Sequence, residues 1–247
     1  HRDLHLSIRR QRQMCIRDRY DAIEFRELNL SLISAAKDGD IDTVKQRLKE
    51  GASIKARNRF GNTALISATR AGSLDIVKLL IEKGANVNMV NTNAETALMN
   101  AASRGHDDIL AYLIDNGADI NKLSVKNLSA LTEAVFASHV PIVKTLLKLY
   151  ADVSVVDHSG KTALNYAAAN GNVEIIKLLV AHGADVNRQT ENDLTSLMWA
   201  VGYGKTEAVD ALLKLGADPT IKDNRGLTAL MIAKENNYSE IVKLLKP

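Results

Sequence analysis

Four histidines, His106, His139, His158 and His182, offer the most obvious chemistry in the body of this sequence. A neutral imidazole can bind metal or move protons near neutral pH. A zinc centre needs three or four ligands held together, usually including a pair a few residues apart. None of these histidines has such a partner, so no metal is expected. Phosphate binding needs a glycine-rich loop that opens a helix, but the glycines here stand singly at recurring positions. No serine lies in the Gly-x-Ser-x-Gly context of a nucleophile elbow. Asp152 and Asp185 fall in turns such as Gly-Ala-Asp-Val-Asn (183–187). A short acidic side chain there bonds to the backbone two residues on, which is a turn role rather than a calcium-binding one. Asn88, Asn121 and Asn187 read as loop hydrogen-bonders. The sequence therefore predicts no catalytic residue and no cofactor, and so no enzyme. His158, at a loop tip, is expected to be a contact residue.

Composition sets the outer bounds. The chain has 247 residues, 46% hydrophobic and 25% charged, with one cysteine and a net charge of +3. This is a globular composition. No run approaches the roughly 18 to 20 apolar residues of a membrane span. A single cysteine excludes an internal disulfide framework and a cysteine-built zinc site.

Residues 1–19 read as translated sequencing adapter rather than protein. Back-translated, residues 1–5 are CACCGAGATCTACAC, 9–13 are CGTCGGCAGCGTCAG and 14–18 are ATGTGTATAAGAGAC, the layout of transposase-made library DNA around an index. The expectation is an unedited shotgun reading frame whose true N-terminus is missing. Removing six arginines and two aspartates from 32 basic and 29 acidic residues leaves 26 against 27. The remaining charge is near −1, so the basic balance says nothing about nucleic acid or membrane surfaces. Cys15 and two of the six histidines go with the segment.

The elements that must position any functional side chain come from a repeat. Thr63-Ala64-Leu65 recurs at 96, 129, 162, 195 and 228 with Ser replacing Thr or Ala once each, every step being 33. Gly-Ala recurs at 51, 84, 117, 183 and 216, with Tyr150-Ala151 in the same register. A third series runs Gly39, Gly72, Gly105, Ser138, Gly171, Gly204, Asn237. Three markers holding one period predict a stack of small units.

At these residues the sequence resembles the ankyrin-repeat family, from about 25 to 247. The Thr-Pro-Leu-His signature reads Thr-Ala-Leu-Ile, Thr-Ala-Leu-Met, Ser-Ala-Leu-Thr, Thr-Ala-Leu-Asn, Thr-Ser-Leu-Met and Thr-Ala-Leu-Met. Pro and His are absent throughout. The family's Thr to His hydrogen bond is therefore lost, and the inner turn must be tied another way. The resemblance implies an all-α solenoid of helix-turn-helix units with short β-turn or hairpin loops.

One unit shows the physics. Thr63 is placed as a helix N-cap. Residues 64–71 form a short helix stopped by Gly72, and 74–83 form a second stopped by Gly84. Neither reaches the roughly 12 to 15 residues that are marginal alone in water, so each must bury a face on its neighbours, and several units are needed. Six repeats are expected at 58–90, 91–123, 124–156, 157–189, 190–222 and 223–247, the last acting as a cap. Before them, 20–57 is a degenerate capping repeat with Leu30 where Thr belongs. Repeat three is irregular, since Ser138 and Tyr150 replace both turn glycines. It has either a shifted cap or a soft joint, because a non-glycine in the left-handed region costs on the order of 1 kcal/mol.

The resemblance also implies a binding surface, a concave face of hairpin tips and inner helices. Carried over by position, the tips supply Arg59, Phe60, Asn62, Lys126, Leu128, His158, Leu194 and Arg225, and the inner helices supply Arg70, Arg104, Phe136, Tyr166, Trp199 and Tyr203. Trp199 and Tyr203 are four apart and share a helix face, and Trp, Tyr and Arg dominate binding hot spots. The expectation is an aromatic patch over repeats three to five with Arg59, Arg70 and Arg104 as a basic flank. Tyr166 and Trp199 could equally pack between repeats. Tyr112 replaces a second-helix leucine and is expected in the core. The function expected is non-enzymatic protein binding by a monomer, to an unidentified protein rather than nucleic acid or membrane, with the cytoplasm as default. The alternative is a regulatory or targeting arm of a larger, enzymatic or secreted, protein.

Overall fold

The computed structural model describes residues 22–246. The adapter-like segment 1–19, with Cys15, lies outside the described residues. The chain divides into two compact units, His1–Thr92 and Asn93–Pro247.

The described part of the first unit has four α-helices: α1 (22–38), α2 (Ile41–Lys49), α3 (Ala64–Ala71) and α4 (Leu74–Glu82). Helix α1 runs straight through Leu30, where the later units have a capping Thr. Leucine has no side-chain acceptor to cap a new helix start there, so the described part of the first unit opens on one long helix. Helices α3 and α4 match the expected bounds to within one residue.

The second unit continues with five helix pairs. They are α5 (Ala97–Arg104) with α6 (Asp107–Asp115), α7 (Ala130–Phe136) with α8 (Val140–Lys148), α9 (Ala163–Asn170) with α10 (Val173–Ala181), α11 (Ser196–Gly202) with α12 (Thr206–Lys214) and α13 (Ala229–Glu235) with α14 (Ser239–Leu245). The first helices pack in a row, α5 on α7, α7 on α9, α9 on α11, α11 on α13, and the second helices form a parallel row behind them. The all-α helix-turn-helix stack is as expected. Alanines such as Ala101, Ala134, Ala167 and Ala200, all fully buried, let the first helices approach closely. Ile109, Leu113, Ile142, Leu146, Ile176, Leu179 and Leu212 fill the layer between the two rows.

Local chemistry sets each unit. Thr63, Thr96, Ser129, Thr162, Thr195 and Thr228 each accept the backbone N–H three residues on, at 3.2–3.4 Å. At the position of the missing His, Asn165 Oδ1 accepts the Thr162 N–H at 2.8 Å and completes a capping box, and the Thr132 hydroxyl lies 3.1 Å from that of Ser129. After the helices the chain turns through positive φ, at Gly72 (77°) and Gly84 (91°) in the regular case. Ser138 and Tyr150 take the same turns, both at φ 61°. The turn of repeat three is therefore kept in register and not shifted. A third 33-residue series of positive φ, not anticipated, runs along the loop tips: Gly61, Ala94, Asn127, Gly160, Asp193 and Gly226.

Two expectations fail here. Tyr112 is half-buried rather than core. Helix α6 buries Ile109, Leu110 and Leu113, which leaves position 112 at the edge of its apolar face. Asn62, expected as a tip contact, is buried and accepts a hydrogen bond from Asn91 Nδ2 at 3.1 Å. Asp152 and Asp185 do form turns, accepting the N–H groups of Ser154 and Asn187. Asn121 and Asn187 tie loops of successive repeats, accepting the N–H groups of Asp152 and Asp218.

Candidate functional site

The tips are held in line by backbone hydrogen bonds. Within the first unit Thr92 N–H donates to Phe60 O, and within the second Val125 donates to Asn93, His158 to Lys126 and Asn224 to Asn192. Four tips are closed by a side-chain acceptor at the base, one of them by Ser124 Oγ, which accepts the Leu128 N–H at 3.1 Å. Asn58 accepts from the Phe60 and Asn62 N–H groups, Asp157 from Ser159 and Lys161, and Asp223 from Arg225 and Leu227. These acceptors recur on the same 33-residue period as the caps (58, 124, 157, 223), a signal in the sequence that went unread.

In the first unit Arg59 and Phe60 are exposed, with the guanidinium 4.6 Å from the ring centroid, and Arg70 is exposed at the end of α3.

In the second unit the aromatic residues meet. Phe136 and Tyr166 pack edge to face with centroids 5.5 Å apart at 87°. Trp199 and Tyr203 stack with centroids 6.0 Å apart at 22°. Lys161 Nζ sits between the pairs, 5.5 Å from the Tyr166 centroid and 4.8 Å from that of Trp199. Phe136 and Tyr203 are 62% and 58% exposed, while Tyr166 and Trp199 are half-buried. Tyr166 and Trp199 thus pack on neighbouring rings and are only partly covered.

Two cavities flank the Phe136–Tyr166 pair, which lines both. One, about 640 Å³, adds Lys161, Trp199, Tyr203 and Lys205. The other, about 550 Å³, adds Lys126, Leu128, Glu133, Asp157 and His158. The Tyr166 hydroxyl donates to Asp157 Oδ2. Burial, and then this hydrogen bond, hold the Tyr166 phenol well above the usual tyrosine range. Burial also raises the Glu133 carboxyl, helped by the negative charge of Glu95 and opposed by Lys126.

Phe136, Tyr166, Trp199, Tyr203, Lys126, Leu128 and His158 thus line one pair of adjoining cavities. Arg104, Leu194 and Arg225 line neither. Arg225 lies against Asp223, at 2.7 Å, and Leu194 is half-buried at the base of its loop. The cations of the larger cavity are Lys161 and Lys205. Lys205 was missed because it follows a turn glycine and is not a tip or inner-helix position.

Comparison with known proteins agrees with this architecture. Residues 32–124 and 121–190 match the family model described as ankyrin repeats (3 copies), and 179–233 match that described as ankyrin repeats (many copies). A search of curated proteins found no match. Among solved structures, the chain is similar to the crystal structure of the ankyrin repeat domain of Bcl-3, described as a unique member of the IkappaB protein family. The TM-score is 0.73 at 27% identity, over 86% of this chain and 97% of that one. With most of its length matched by these models and its caps, turns and helix pairs in the same period, the chain belongs to the ankyrin-repeat family.

Proposed function

We propose that this chain is a non-enzymatic module that grips a partner protein with the face formed by its inner helices and loop tips, centred on Phe136, Tyr166, Trp199 and Tyr203. As an ankyrin-repeat chain it is a protein-interaction module in general terms. The observation that carries the finer reading is the exposure of Phe136 and Tyr203 beside two adjoining cavities. Large aromatic side chains left open at a concavity are the usual anchors of a binding hot spot. Lys126, Leu128 and His158 form one side of the same face. Arg59, Phe60 and Arg70 in the first unit, and Arg104, Leu194 and Arg225 in the second, belong to the proposed surface by register alone. Among the described residues no helix is long and apolar enough to cross a membrane.

The test is affinity capture from the source cells with the intact chain and with the Trp199→Ala, Tyr203→Ala double variant, both checked for helix content. The intact chain is expected to retain a protein that the folded double variant loses. Equal capture by both would remove this face from the function.

A further inference from the structure

The larger cavity has an electrostatic character that its neighbour lacks. Its lining includes Lys161 and Lys205 and no acidic residue. Among the described residues, neither cavity lysine is in an ion pair. Lys161 is not loose on the surface. Its ammonium is held over two ring faces, and its backbone N–H is anchored on Asp157. The stem of Lys205 lies over Gly171, where its Cδ is 2.9 Å from the point a β-carbon would occupy. A substituted residue at 171 would push that stem away. The Lys161 ammonium and the Lys205 stem are therefore positioned before anything binds, which lowers the ordering cost of an incoming anion.

The nearby acids, Asp157 and Glu133, line the neighbouring cavity and not this one. Asp157 is buried, and its carboxylate already accepts the Tyr166 hydroxyl and the Ser159 and Lys161 N–H groups. Trp199, in the wall of the same cavity, carries a buried indole N–H with no acceptor. Besides the two lysines, the wall is formed by aromatic rings, Ala169 and the polar side chains of Ser138, Asn165 and Asn170.

We infer that this cavity receives a segment of the partner protein in which an Asp or Glu side chain lies within two residues of an aromatic or branched apolar one. The carboxylate meets Lys161 and Lys205, and the apolar side chain covers the open faces of Phe136 and Tyr203. A basic segment is disfavoured by the same two ammonium groups. This inference rests on the binding face proposed above and names the chemistry of its occupant.

A displayed library of random peptides about twelve residues long, fused at the C-terminus so that only side chains supply carboxylates, tests it against the intact 247-residue chain. Selected peptides should pair Asp or Glu with a neighbouring aromatic or aliphatic residue. As amidated synthetic peptides they should bind about tenfold more weakly to the Lys161→Gln, Lys205→Gln variant. They should hold their affinity for the Lys161→Arg, Lys205→Arg variant, which keeps both charges and guards against a folding defect. Peptides without acids, no enrichment at all, or equal affinity for the Gln variant would overturn the inference. Peptides that lose binding on Trp199→Ala, Tyr203→Ala but ignore the Gln variant would leave the binding face standing and overturn only its acidic occupant. Peptides indifferent to both variants would overturn the two together.

Discussion

The Tyr166 hydroxyl donates to Oδ2 of Asp157, nine residues earlier, and so an inner helix is fastened to the base of its own loop tip. Asp157 is buried and also closes that tip through the Ser159 and Lys161 N–H groups. One carboxylate thereby sets the tip and the ring that divides the two cavities. Burial and this bond favour the protonated phenol in the folded state, so the Tyr166 pKa lies above its unfolded value. Above pH about 10 the unfolded chain releases a proton that the folded chain keeps, and stability falls as pH rises. Tyr166→Phe should flatten that alkaline loss in urea titrations between pH 9 and 11. An unchanged slope would show that the phenol is not the group involved.

Glu133 has the opposite chemistry and the same logic. Its raised carboxyl, caused by burial and then by Glu95, favours the protonated form in the folded state. Its contribution is present at low pH and is lost as pH rises through the carboxylate range. Glu133→Gln should raise the melting temperature at pH 7 and leave it unchanged near pH 3.5, where the glutamate itself is neutral. Differential scanning calorimetry at the two pH values decides this.

Tyr150 holds φ 61° with its side chain 90% exposed. It bears the left-handed strain of roughly 1–2 kcal/mol with little burial to offset it. Glycine removes the strain but adds about 0.5–1 kcal/mol of unfolded-state entropy. Tyr150→Gly should therefore stabilise the chain by about 0.5 kcal/mol, read from urea midpoints. With Ser138 also at φ 61°, repeat three carries two such residues, and hydrogen exchange should find its amides opening before those of the flanking repeats. Uniform protection along the second unit would dismiss the soft joint.

Tyr203 and Phe136 are more than half exposed, so truncating them should cost the fold little. Once a partner is in hand, Tyr203→Ala or Phe136→Ala should each weaken binding by about thirtyfold, the loss typical of a hot-spot residue worth about 2 kcal/mol. Arg225→Ala should change affinity by less than about threefold, because its guanidinium already lies against Asp223. Titration calorimetry with the three variants ranks them, and a reversed order would move the site toward the last tip.

Most of the fold was legible in the residues alone. The 33-residue period, the Thr and Ser caps, the turn positions and the helix bounds all follow from rules that act within a few residues. A hydroxyl at an N-cap meets its N–H three positions on, and a glycine turns through positive φ, whatever the rest of the chain does. Even Ser138 and Tyr150 obey the period, because the packed helices on either side fix where the chain must turn. Tyr112 was read less well. There the result depends on which face of a helix finds a neighbour.

The site divides along the same line. That aromatics gather at inner-helix positions in repeats three to five can be read from their register. So can the neighbouring of Trp199 and Tyr203, four apart on one helix, but the pairing of Phe136 with Tyr166 cannot, because it depends on side-chain directions between residues 30 apart. The edge-to-face contact of Phe136 with Tyr166 and the seat of Lys161 over Trp199 exist only when successive repeats are stacked, whereas Asp157 anchors Tyr166 within its own repeat. Periodicity specifies which residues can share a face, since backbone geometry repeats with the sequence. Which of them touch, and which charge is left to meet a partner, is set by packing between repeats, where each rotamer is chosen by neighbours distant in the chain.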